Sequence, residues 1–128
     1  GKVKRNLQSL VVAQAAVTAM VSAFGDSMLK FRLRDLPTGY EAYLVTPLSN
    51  EEAKKETCRI EDTHPLGRLF DLDVIDADGV PMSRESVGLS PRKCLVCDNE
   101  ARYCMRNRTH TMAELTAKID EMIESYVR

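Results

Sequence analysis

The run His64-Pro65-Leu66-Gly67-Arg68-Leu69-Phe70-Asp71-Leu72-Asp73-Val74 holds the densest chemistry in the chain. Side chains of a strand alternate between faces, so Asp71 and Asp73 share one face while Phe70, Leu72 and Val74 share the other. Two carboxylates on one face suit a Mg²⁺ ion held beside a phosphate. The Pro-Leu-Gly before them supplies a tight turn, and Arg68 adds a planar fork of donors for an anion. His64 precedes a proline and is biased to extended backbone; it can bond a phosphate oxygen or move a proton. The plain alternatives are an acidic edge strand, whose charges guard against aggregation, and a histidine that pins the turn. Glu61 is a weaker ligand candidate, because single glutamates on strands are usually solvated. One of the aspartates, or Glu61, could accept a hydroxyl proton. Asp76 and Asp78 read as turn residues.

The second constellation is Cys94-x₂-Cys97-x₆-Cys104-x₅-His110. Three thiols and an imidazole can form a Cys₃His zinc site with the first pair on a knuckle, making residues 94–110 a zinc-knuckle-like subregion. Four protein ligands leave no open position, so such a site is structural. The spacing between Cys97 and Cys104 is not a standard second half. A redox pair and plain burial as small hydrophobes are the alternatives, and the βαβ setting of a thioredoxin-type motif is absent. Cys58 stands outside the cluster as a structural thiol.

Elements must position these groups. Residues 6–24, rich in Ala, Val, Leu and Met, predict a helix stopped by Gly25. Met28–Arg34 and Tyr40–Val45 predict two strands joined by a Leu36-Pro37-Thr38-Gly39 turn. On the first strand, Lys30, Arg32 and Arg34 share a face that reads as solvated and offers charge complementarity to an acidic carrier. Ser49 or Asn50 caps a short helix over Glu51–Lys55. Glu56–Glu61 reads as extended, Arg68–Ile75 as a fourth strand, and Val80–Ser83 as pairing back after the Asp76–Gly79 turn. Residues 98–106 look helical. Thr111 caps a last helix to Tyr126, with Glu114 completing a capping box. Met112, Leu115, Ile119, Met122 and Ile123 give that helix an apolar stripe. The expected fold is α+β, a single domain over residues 1–128, with a mostly antiparallel sheet flanked by helices.

Composition narrows the classes. At 128 residues the chain is long enough for one real core. A net charge of −1 gives no basic field for nucleic acid. The apolar stretch Leu7–Phe24 is interrupted by Gln8, Ser9, Gln14, Thr18 and Ser22, so it reads as a buried helix and not as a membrane span or a signal peptide. Four cysteines without a secretory signal point to a reducing compartment, the cytoplasm.

A longer pattern joins these pieces: Arg68–Val74, then Gly79, Ser83-Arg84, Pro91-Arg92-Lys93-Cys94-Leu95-Val96-Cys97, Ala101, Cys104, Arg106 and Thr109-His110. In this order and spacing the chain resembles the CitX family, the apo-citrate lyase phosphoribosyl-dephospho-CoA transferases or citrate lyase holo-acyl-carrier-protein synthases. The likeness is dense from Glu61 to His110 and thinner before Cys58. It implies a nucleotidyltransferase-like enzyme. Such an enzyme takes triphosphoribosyl-dephospho-CoA, moves the phosphoribosyl-dephospho-CoA group to a serine of the citrate lyase acyl carrier protein (the gamma subunit), and releases pyrophosphate. It also implies Mg²⁺ on Asp71 and Asp73, with His64 and Arg68 in the catalytic group. Ser83, Arg84, Arg92 and Lys4 would then meet the triphosphate, guanidinium being a bidentate phosphate ligand. Near its start the family tends to show Gly-Pro-x-Lys where this chain reads Gly1-Lys2-Val3-Lys4, and the family carries a further N-terminal stretch, so the chain reads as N-terminally truncated. Two other readings stay open: a non-enzymatic, zinc-stabilised binding module, and a related nucleotidyltransferase acting on another carrier, such as that of malonate decarboxylase.

Overall fold

The computed structural model describes residues 2–128, with side chains from residue 7 onward. The chain is α+β, and it forms two compact units, one up to Met82 and one over Ser83–Arg128.

In the first unit, good helix formers carry α1 from Lys2 to Phe24. It ends where Gly25 takes a φ of +21°, which a side chain would resist. The Ser27 hydroxyl donates to the Phe24 carbonyl at 2.7 Å and closes a 3₁₀ turn. One expectation is corrected here. The stretch Leu7–Ser27 has a mean hydropathy of 1.6 and is, by length and composition alone, long and apolar enough to cross a membrane, with 11% of it buried. The interrupting residues are uncharged, and the alanines, valines, leucines and methionines around them outweigh their polarity. A core helix passes the same test, and Ala15 and Phe24 are buried.

Strands β1 (Lys30–Leu36) and β2 (Gly39–Val45) form an antiparallel hairpin, from Lys30 opposite Val45 to Leu36 opposite Gly39. The first strand starts later than predicted because the Met28 N–H is spent on the Gly25 carbonyl. Lys30, Arg32 and Arg34 lie exposed, as the alternation requires. α1 packs on β2 and on α2.

Helix α2 runs from Asn50 to Thr63, with the Ser49 hydroxyl accepting from the Glu52 N–H at 3.2 Å. The predicted extended segment Glu56–Glu61 is therefore helical. Ala53, Thr57, Ile60 and Glu61 are buried at helical spacing, while Arg59 and Glu56 pair on the outer face. The helix stops at His64, whose backbone turns extended ahead of Pro65.

The predicted fourth strand over Arg68–Ile75 is also corrected. Gly67–Leu69 is a 3₁₀ turn, and the residues after it are extended without a ladder until a single Ile75–Pro81 bridge. Among the described residues the sheet has two strands. The alternation nevertheless holds: Phe70 and Leu72 are buried, Asp71 and Asp73 exposed. The Asp76–Gly79 turn forms as expected, Asp76 Oδ1 accepting from the N–H groups of Asp78 and Val80.

The second unit begins with a 3₁₀ turn over Glu85–Val87. A small knuckle follows, in which the Cys94 N–H donates to the Asn99 carbonyl at 2.7 Å and the Ala101 N–H to the Arg92 carbonyl at 2.8 Å. Helix α3 is Ala101–Asn107, later than predicted because the knuckle uses the preceding residues. It ends at Arg108 in the left-handed region. Helix α4, Met112–Val127, carries the predicted capping box, with Thr111 and Glu114 bonded reciprocally. Of its apolar stripe Ile123 is buried, while Met112, at the first turn, is exposed.

Candidate functional site

The first unit brings His64, Arg68, Asp71 and Asp73 onto one stretch that leaves the end of α2. Its course is tightly set. A Cβ at Gly67 would stand 2.2 Å from the Glu61 carbonyl oxygen and 2.7 Å from that of Ile60, so only glycine allows this approach. His64 Nδ1 accepts from the Leu66 N–H at 2.9 Å, and the ring lies 4.9 Å from Phe70. Burial lowers the histidine's pKa, and with Nδ1 as acceptor the neutral ring carries its proton on Nε2. The turn-pinning role is thus visible in the bonding. Phe70 at 2% exposure and Leu72 at 9% anchor one side of the ribbon. Asp71, Asp73 and Arg68 face water on the other. Glu61 is buried, and its Oε2 accepts from the Leu72 N–H at 3.1 Å.

The second unit holds the remaining predicted groups. Ser83 is exposed, its Oγ accepting from the Ser86 N–H at 3.2 Å. Arg84 is buried and Arg92 half-buried. Lys4 falls outside the residues whose side chains are described.

Cys94, Cys97, Cys104 and His110 converge: their four ligand atoms all lie within 4.8 Å of one another. Cys97 Sγ is 3.4 Å from Cys104 Sγ and 3.3 Å from His110 Nε2. A tetrahedral zinc with Zn–S bonds of about 2.3 Å would set its sulfurs about 3.8 Å apart, so the cluster is near the size a metal such as zinc requires. The Asn99 N–H and then the His110 ring bring the Cys97 thiol down to about 7. Burial, followed by the bonds from Cys97 and Cys94, pushes Cys104 up to about 11. The Cys97 sulfur raises His110. Neutral His110 would offer Nε2 to a metal.

Sequence reasoning missed the second role of Glu114, and it placed Glu61, its weaker ligand candidate, on a solvated strand where the structure buries it on α2. Glu114 was legible only as a cap. Its Oε2 lies 3.7 Å from His110 Nδ1 while its Oε1 accepts from the Thr111 N–H, so the cap also places a carboxylate beside the imidazole. The spacing from His110 to Glu114 was the available signal. For Glu61 the signal was the helical period of the buried face of α2.

With the geometry in place, comparison with known proteins is direct. The family described as apo-citrate lyase phosphoribosyl-dephospho-CoA transferase matches residues 1–126. A Vibrio cholerae serotype O1 protein named "probable apo-citrate lyase phosphoribosyl-dephospho-CoA transferase" is 41% identical, over 98% of this chain and 73% of its own length. A Streptococcus pyogenes serotype M18 protein of the same name is 35% identical, over 98% of this chain and 68% of its own length. "Protein CitXG" of Haemophilus influenzae is 37% identical, over 98% of this chain and 28% of its own length.

Proposed function

We infer that this chain, which belongs to the CitX family of apo-citrate lyase phosphoribosyl-dephospho-CoA transferases, is itself such a transferase. The observation that carries the reading is the family match across residues 1–126. The donor is triphosphoribosyl-dephospho-CoA, and the acceptor is a serine of the citrate lyase acyl carrier protein. The serine oxygen forms a bond to phosphorus, pyrophosphate leaves with the broken P–O bond, and the hydroxyl proton passes to a base. The chemistry is nucleotidyltransferase-like, so positioning and charge neutralisation carry most of the catalysis.

Asp71 and Asp73 suit a hard cation: they are neighbouring carboxylates, exposed on one side of a ribbon whose other side is anchored. Bound Mg²⁺ supplies neutralisation of the phosphate oxygens. Arg68 binds phosphate beside the pair, and His64 holds the turn that delivers both. Ser83, Arg84, Arg92 and Lys4 join the reading as triphosphate-binding residues. Cys94, Cys97, Cys104 and His110 hold a structural Zn²⁺, since four protein ligands leave no position for substrate. Thiolate ligands of this kind need a reducing compartment, in keeping with the cytoplasm.

The test is intact-mass spectrometry of apo acyl carrier protein incubated with the chain, the triphosphate precursor and Mg²⁺. A mass gain equal to the prosthetic group is expected. No gain on a carrier that another synthase can modify would overturn the reading. Gain only on the malonate decarboxylase carrier would reassign the acceptor. Asp71→Asn should abolish the gain while leaving stability within about 0.5 kcal/mol, as for an exposed substitution. Transfer at the wild-type rate by that variant would remove the metal assignment.

A further inference from the structure

Leu72 stands between the two aspartates, and its N–H has no strand to pair with among the described residues. A buried donor of this kind must find an acceptor in the chain. It finds the Glu61 carboxylate at 3.1 Å, the one acidic side chain buried among the described residues. Bonds to carboxylates are stronger than neutral ones and hold a donor's direction more firmly. The approach that makes this bond is itself set by Gly67, which lies against the carbonyls of Ile60 and Glu61.

We propose that Glu61 is a positioning residue for the acidic pair: its carboxylate grips the backbone at Leu72 and so sets the direction and separation of the Asp71 and Asp73 side chains. Phe70 and Leu72 hold the ribbon by apolar burial, which fixes depth but not rotation about the chain. A directional bond at the central residue supplies the rotation. The aspartates then need no reordering when a cation arrives, which is what preorganisation of a site means. Glu61 is buried where Asp71 and Asp73 are exposed, so it serves the site through the backbone and does not stand beside them as a third ligand. The inference rests on the reading of Asp71 and Asp73 as cation ligands.

The test uses the full chain and two readouts: hydrogen exchange at the Leu72 amide, followed by NMR, and Mn²⁺ affinity, followed by electron paramagnetic resonance. Glu61→Ala should speed Leu72 exchange and weaken Mn²⁺ binding, each by about tenfold, the scale of one bond to a charged group. Glu61→Gln keeps an acceptor oxygen and should keep both within about threefold. If Glu61→Ala does not fold, Glu61→Gln decides alone: retained protection at Leu72 supports the proposal and lost protection overturns it. Unchanged exchange in a folded Glu61→Ala overturns it. So does a Glu61→Gln variant that loses Mn²⁺ while protecting Leu72, because that would make Glu61 a ligand through its charge. Asp71→Asn separates the two layers. If Mn²⁺ affinity survives that change, the cation reading fails, and the positioning proposal falls with it even if the Leu72 result holds.

Discussion

Gly67 and His64 decide where the acidic pair stands, and both make sharp predictions. Gly67→Ala places a methyl against two backbone carbonyls that belong to the end of a helix. Backbone cannot swing aside as a flexible side chain would, so the variant should lose about 1–3 kcal/mol in urea unfolding, the usual range for overpacking. His64 is a neutral acceptor for the Leu66 N–H, and burial lowers its pKa below the ordinary 6.5. Because the unfolded chain binds that proton more readily, stability rises with pH through this range. The contribution is fully present above pH 6.5 and is lost as pH falls through the lowered folded value. Urea unfolding at pH 7 and pH 5 should therefore show a loss on acidification that His64→Asn reduces. An equal loss in the variant would clear His64 of the effect.

Among the elements, the ends of helices carry more of the function than their middles. The last turn of α2 supplies Glu61 and the contact with Gly67. The first turn of α4 supplies Glu114, which caps its own helix through Thr111 and faces His110. A carboxylate behind a ligating imidazole fixes its orientation and raises its basicity. Glu114→Gln keeps the capping geometry but removes the charge, so it should weaken zinc binding by about 10–100-fold while the helix survives. Competition with a colorimetric chelator measures this, and unchanged affinity would leave Glu114 as a cap alone. Some elements were legible from sequence because their signals are local. The hairpin follows from alternation around Pro37-Thr38, and the capping box from Thr111 and Glu114. Residues 56–61 were misread because Thr57, Cys58 and Ile60 also suit a strand, and only packing of the Ala53, Thr57, Ile60 and Glu61 face settles a helix.

At the scale of the molecule, the acidic ribbon lies in one compact unit and the cysteine–histidine cluster in the other. The cysteine–histidine cluster lies wholly within Ser83–Arg128, a unit in which Cys94 and Cys104 are among the few buried apolar side chains. Where so little apolar surface is buried, a metal bound at the cluster would contribute directly to folding. Stripping zinc with a chelator should speed hydrogen exchange across residues 93–111 and leave the β1–β2 hairpin as it was. Equal exchange before and after would remove the structural role of the metal. The order of residues along the chain determined the alternation that turns Asp71 and Asp73 outward, the spacing of the three cysteines and His110, and the likeness that leads to citrate lyase. These are properties of neighbours, and a linear pattern records them. Tertiary structure alone decided that, among the described residues, the acidic ribbon has no strand beside it and that its central N–H goes to a glutamate from the preceding helix. It also decided that a capping residue stands beside a candidate metal ligand. Each of these is a contact between segments, set by which buried polar group is left over once the local elements have satisfied their own.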